Sequence, residues 1–242
     1  MRCVLGCVAA ALFWPGAMTA WADVVTVTVE ATRSAWYERR FSIYTGPSTN
    51  QNYVVGFSPG SSGDKTWRNF FVFDLSGLHG TAVSAKLRLT RGSGGGLAPT
   101  ATYTLYEVTT PVETVTSGGT NEQKAAIWAD LGSGLAYGSV EIPSGGAATD
   151  IVTIGLNETA LAAISAEDGL LVLGGALAPQ STSGGVRFGH THPGSTPLGD
   201  VAPVRQLVVT IPEPATPALL AIGACLPLCR RRRRRRAAGR RR

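Results

Sequence analysis

The chain has 242 residues, with 22 Lys+Arg against 16 Asp+Glu and four cysteines. The net charge of +6 belongs to the ends: ten arginines lie at 230–236 and 240–242 and one, Arg2, near the start, so residues 23–211 keep 11 basic against 15 acidic side chains, a net of −4. A mildly acidic body carries no nucleic-acid footprint, and since Cys3, Cys7, Cys225 and Cys229 all lie in the ends, the body has no disulfide, thiolate metal site or cysteine nucleophile.

In chain order, Arg2 is followed by an almost wholly apolar run to Met18, then Ala20-Trp21-Ala22 with small residues at the −3 and −1 positions. That is the layout of a secretory signal peptide over residues 1–22, cut before Asp23. Residues 23–211 form one domain's length and read as short strands. Residues 24–30 (VVTVTVE) alternate Val and Thr, and 41–44 and 52–57 follow around a Gly46-Pro47 turn. Residues 69–75 (NFFVFDL) are apolar on both alternations, which predicts a central strand covered on two faces. In 82–90, Val83, Ala85, Leu87 and Leu89 point one way, and further strands are expected at 102–109, 140–142, 151–154, 170–173, 186–188 and 206–211. Gly/Ser/Pro clusters separate them. Two short helices are expected: one after the capping box Thr120-Asn121-Glu122-Gln123, ending at Gly132, and one capped by Asn157 over 158–165. Many short strands with turn signals between them predict a mainly β fold, an antiparallel, jelly-roll-like β-sandwich.

Ten of the fifteen body aromatics lie within residues 36–73. Flat apolar ring faces match the C–H faces of sugars, and Trp and Tyr add a polar tip. Trp36, Tyr37 and Trp67 are therefore candidate glycan-platform residues, with Trp67, beside Lys65 and Arg68, the strongest candidate for exposure. Most strand aromatics are expected to fill the core instead. His190 and His192, two apart, would share a side of a strand and could hold a metal with Asp200, but their Pro/Gly-rich surroundings favour a solvated turn, so no metal or other cofactor is expected. His79, before Gly80, reads as a turn residue. Asp74, Glu107, Glu113 and Asp130 are available acids, yet nothing pairs them as a glycosidase requires. Asp74 is expected to make a turn hydrogen bond. No Gly-x-Ser-x-Gly elbow or phosphate-binding loop is present, so no catalytic residue is assigned.

The tail reads Pro212-Glu213-Pro214, an apolar run over 215–229 broken by Pro217 and Pro227, and a cluster that begins Arg230, Arg231, Arg232. The apolar run is short of the ~20 residues of a helical span, and the arginines would stay cytoplasmic. Over residues 212–242 the chain resembles the PEP-CTERM sorting signal, with all three parts in order. The resemblance implies an exosortase-type membrane protease as partner, transient or lasting membrane attachment through the hydrophobic segment, and a Gram-negative-type bacterium that makes exopolysaccharide. The run from Arg68 to Leu89, with its Phe73-Asp74-Leu75-Ser76 and Ser84-Ala85-Lys86-Leu87-Arg88-Leu89, is similar to strand pairs of sorted bacterial surface proteins and, more distantly, to jelly-roll domains beside carbohydrate-active modules. The expectation is an exported, non-enzymatic cell-surface or extracellular-matrix protein. Its alternatives are a carbohydrate-binding module acting on exopolysaccharide and a secreted glycoside or ester hydrolase.

Overall fold

The structure, a computed structural model, describes residues 24–47, 52–61, 63–92, 94–95, 100–178, 184–189 and 203–213. All but Glu213 belong to one compact unit, Val24–Pro212. Its strands are β1 (Val24–Arg40), β2 (Ile43–Thr45), β3 (Asn52–Ser58), β4 (Lys65–Asp74), β5 (Ser84–Thr90), β6 (Gly94–Gly95), β7 (Thr100–Glu107), β8 (Ala136–Pro143), β9 (Ile151–Gly155), β10 (Leu170–Leu177), β11 (Gly184–Gly189) and β12 (Arg205–Pro212). Three helices interrupt them: α1 (Val112–Ser117), α2 (Asn121–Asp130) and α3 (Glu158–Ala166). The fold is mainly antiparallel β.

β1 links two walls of the sheet. Its first residues pair with β12, from Val24↔Pro212 to Glu30↔Gln206, and β5 and β9 continue outward from β12. A register shift between Ala31 and Arg33 then turns β1 onto β4, as an extra residue in one strand does. Beyond β4, β10 carries β7, and β7 carries β8. β8 comes back against β9: a Cβ on Gly138 would lie 2.2 Å from the Gly155 carbonyl oxygen, so only glycine permits that approach. The sheet is nearly closed.

β4 is the central strand that residues 69–75 predict, and its two faces explain the two clusters of buried side chains. Phe71 and Phe73 join Leu87, Leu89, Leu207 and Val209 in the larger core, which Ile164 of α3 helps to close. Phe70 and Val72 point the other way, with Ala35, Tyr37 and Val172, and are covered by Val115 of α1, Ile127 and Trp128 of α2, and Leu131. Full burial of a Phe or Leu side chain stabilises by roughly 1.5–3 kcal/mol relative to exposure. The alternation Ala85, Leu87, Leu89 holds, but Val83 precedes the strand and is exposed. Phe41 stands in a turn at φ +52° before β2 rather than in a strand.

α2 and α3 begin as their sequences dictate. Thr120 Oγ1 accepts from Gln123 N–H while Gln123 Oε1 accepts from Thr120 N–H, and Asn157 Oδ1 accepts from Ala160 N–H at 3.0 Å. The expectation of two helices is corrected to three. α1 has no capping side chain, since Pro111 stands at its N-cap, and its Val and Thr residues are weak helix formers. Tertiary contact holds it instead: Val115 is buried in the second cluster, and Tyr37 O–H donates to the Val115 carbonyl at 2.6 Å. Among the described residues no helix is long and apolar enough to cross a membrane. The hydrophobic run at 215–229 lies outside the described residues.

Candidate functional site

Along one edge of β4 two strands take turns. β3 pairs Lys65, Thr66 and Trp67, and β10 pairs Asn69 to Asp74. Arg68 sits at the fork. A cleft of about 290 Å³ opens there, between Phe57 of β3, Trp67 and Arg68, Trp128 of α2 and Ala176 to Ala178 at the end of β10. A second hollow of about 530 Å³ shares Phe57 and Thr66 and extends to Arg39, Phe41 and Asp64. The two hollows adjoin at Phe57 and Thr66, and together they make up the groove.

Register explains why these side chains meet. Arg39 is opposite Thr66, and Thr66 is opposite Phe57, so the three point to one face across three strands. Tyr37, two residues earlier on β1, points to the same face but lies beneath α1. The two helices thus cover one end of this face and leave the Arg39–Phe57 end open. Phe41, 64% exposed, rests on Gly63, where a Cβ would lie 2.0 Å from its ring.

The electrostatics centre on Trp128, only 8% exposed. The Arg68 guanidinium carbon stands 3.7 Å from its ring centroid and that of Arg39 5.2 Å, both within reach of a cation–π attraction. Arg68 Nη1 donates to the Trp128 and Ala129 carbonyls at 2.7 and 3.0 Å, where the end of α2 favours a cation. Gly132 makes room, since a Cβ there would lie 2.5 Å from the guanidinium. Burial pushes the Arg68 pKa down to about 10, and the Arg39 charge adds to that while Tyr106 and Tyr44 oppose it. The group stays charged at neutral pH. Neither arginine has a carboxylate within ion-pair distance among the described residues. Glu38 is engaged elsewhere, with Lys65 at 3.5 Å and with Trp67 Nε1–H at 2.9 Å.

Of the three candidate platform residues, Trp67 is half-buried and lines the cleft. Trp36, opposite Asn69, is its diagonal neighbour on the same face, half-buried, with its Nε1 sealed from solvent and without an acceptor. Tyr37 is not exposed, contrary to the expectation. Next in sequence to Trp36, it faces the other way, is 0% exposed, and burial pushes its phenol well above the ordinary range. Sequence reasoning missed Arg39, Phe57, Arg68 and Trp128 as a group. The only local hint was the Trp67-Arg68 pair, because Trp128 comes from a helix 60 residues further on.

The remaining candidates are placed as follows. His190, His192 and Asp200 lie outside the described residues. Among the described residues no group of three or more His, Cys, Asp or Glu could hold a metal ion. Asp74 accepts from Ser76 N–H at 3.0 Å, the expected turn bond, and hydrogen bonds from the Ser76 hydroxyl first and its N–H second hold its carboxyl low. Asp130 accepts from the N–H and hydroxyl groups of Thr109 and Thr110. Glu113 is in the first turn of α1. Glu107 accepts from the Tyr137 hydroxyl at 3.4 Å and lines a separate hollow with Glu167, which is engaged by Gly169 N–H. Pro212 ends β12 and Glu213 is exposed. Pro214, Arg230, Arg231 and Arg232 lie outside the described residues. In comparison with known proteins, the chain matches no family model and no curated sequence.

Proposed function

We propose that the chain is an exported, non-enzymatic protein of a bacterial cell surface or extracellular matrix, with a jelly-roll-like β-sandwich body. In this proposal a PEP-CTERM-like signal at residues 212–242 sorts it, with an exosortase-type protease as partner and the hydrophobic segment as a membrane attachment. The observation that carries this is the Val24↔Pro212 pair. The compact body begins one residue after the expected cleavage site and ends on the first residue of the Pro-Glu-Pro motif. Its first and last strands are hydrogen-bonded to each other, so the two end segments can be removed without cutting a strand. Mass spectrometry of the protein recovered from cells tests this. A start at Asp23 and loss of the arginine cluster are expected, and an intact Arg242 on most molecules would refute processing. A reporter fused after Ile211 that remains inside the cell would refute export.

A second reading, contact with polysaccharide, is favoured by the groove. It offers aromatic side chains beside polar ones in an open trough, the chemistry that sugar rings match. Retardation in a polysaccharide gel that Phe57→Ala reduces supports it; unchanged migration of both proteins argues against it.

A further inference from the structure

The groove carries more than aromatic surface. Two guanidinium groups are held against one indole, and the Arg39 charge adds a smaller part to the lowering of the Arg68 pKa that burial mainly causes. Arg39 spends only its Nε–H, on the Phe41 carbonyl at 3.3 Å, and Arg68 only its Nη1. The Nη groups of Arg39 and the Nε and Nη2 of Arg68 have no protein partner among the described residues, and those of Arg68 are not sealed from solvent. Among the described residues no carboxylate stands within ion-pair distance of either guanidinium, and the acid on the groove is Asp64, in the hollow with Arg39, in a body whose net charge is −4. Guanidinium forks match carboxylates in geometry as well as charge.

We propose that the groove binds a segment of acidic polysaccharide, with Arg39 and Arg68 taking the carboxylates of uronic-acid units and Phe41 and Phe57 carrying sugar faces. The proposal rests on the polysaccharide reading given above and narrows it to a charge class. Two observations favour a sugar chain over other anions. Two adjoining hollows of about 290 and 530 Å³ share Phe57 and Thr66, which suits several linked rings better than a lone ion. Ser61, Asp64 and Thr66 on its rim offer hydroxyl and carboxylate partners for sugar hydroxyls. A neutral glycan could accept hydrogen bonds from the guanidiniums through its hydroxyls but would leave their charge without a partner.

The test uses the full chain, with tryptophan fluorescence as the readout, since Trp67 and Trp128 line the cleft and the arginine cluster at 230–242 contains no tryptophan. The probes are tri-galacturonate and its fully methyl-esterified form, which has the same rings without the charge. A saturable change with the acid is expected, weakened about tenfold or more by esterification and by Arg39→Ala, as loss of a charge-assisted hydrogen bond implies. Arg88→Ala, on the wall formed by β5, should bind as the wild type does. Equal affinity for ester and acid would overturn the acidic class and leave the polysaccharide reading standing. No response to either probe would remove both. Arg39→Ala binding like wild type, or Arg88→Ala losing as much as Arg39→Ala, would overturn the site.

Discussion

Replacing Arg68 by Met tests whether the α2–sheet junction that walls the groove is held by the guanidinium. Met keeps most of the apolar stem and removes the charge and the donors. Two hydrogen bonds to the end of α2 are lost, at 2.7 and 3.0 Å, together with the stacking at 3.7 Å on Trp128. A hydrogen bond to a charged group contributes about 1.5–3 kcal/mol, and a cation–π contact about 0.5–2 kcal/mol. Both bonds share one nitrogen, and the side chain stands partly in water, so the low ends apply. Relief of the repulsion with Arg39 offsets a little of the loss. The expected destabilisation is about 2 kcal/mol, read as a shift of the urea midpoint at unchanged slope, or as a fall in Tm of roughly 4–8 °C for a domain of this size. Arg39→Ala, at an exposed position, should stay within about 0.5 kcal/mol of wild type. A double-mutant cycle with Trp128→Leu should return a coupling of at least about 0.5 kcal/mol. An Arg68→Met protein within about 0.5 kcal/mol of wild type would refute this account of the junction.

Three further outcomes are expected. Tyr103→Phe strips the buried Asn69 Oδ1 of its 2.8 Å donor, and the unsatisfied acceptor should cost about 1–3 kcal/mol in urea unfolding. Thr120→Ala removes the capping box of α2 and should cost about 1 kcal/mol, with loss of helical circular dichroism before the main transition. Burial raises the phenols of Tyr37 and Tyr103 and pushes Tyr137 up to about 12. Unfolded tyrosines titrate near pH ~10, so above that pH the native state binds more protons than the unfolded one. The stability from these groups is complete below pH ~10 and is lost as pH rises through the folded values. Phenolate absorbance should appear together with unfolding; phenolate formation by all three in a still-folded protein would contradict their burial.

The parts of the fold legible in the sequence are those set by neighbours along the chain. Val/Thr alternation marked the start of β1, double-sided apolarity marked β4, and side-chain caps marked α2 and α3. Residues 31–40 were not legible as strand, because Arg33, Glu38, Arg39 and Arg40 dilute the alternation and a register shift breaks its phase. α1 was invisible because its stability comes from Val115 and Tyr37, 78 residues apart. The site was half legible. Trp67 could be singled out by its aromatic character and its basic neighbours. That Tyr37 would be sealed beneath a helix, and that Trp128 would gather Arg39 and Arg68, depends on pairing between distant segments that local pattern does not encode.

β1 also relates the groove to the ends of the body. Val24 and Pro212 leave the fold side by side at the start of this strand, while Arg39 stands near its other end. At ~3.3 Å per residue the two points lie up to about 50 Å apart along the strand, less whatever the bend at Ala31–Arg33 removes. The paired ends of the body, Val24 and Pro212, therefore stand at the end of β1 remote from the Arg39–Phe57 face. The exposed Val24 and Val25 belong to that end. The guanidiniums of the groove belong to the other. One long strand thus separates the paired ends of the body from the groove, so substitutions at Val24 or Val25 and at Arg39 can each be made without disturbing the other end.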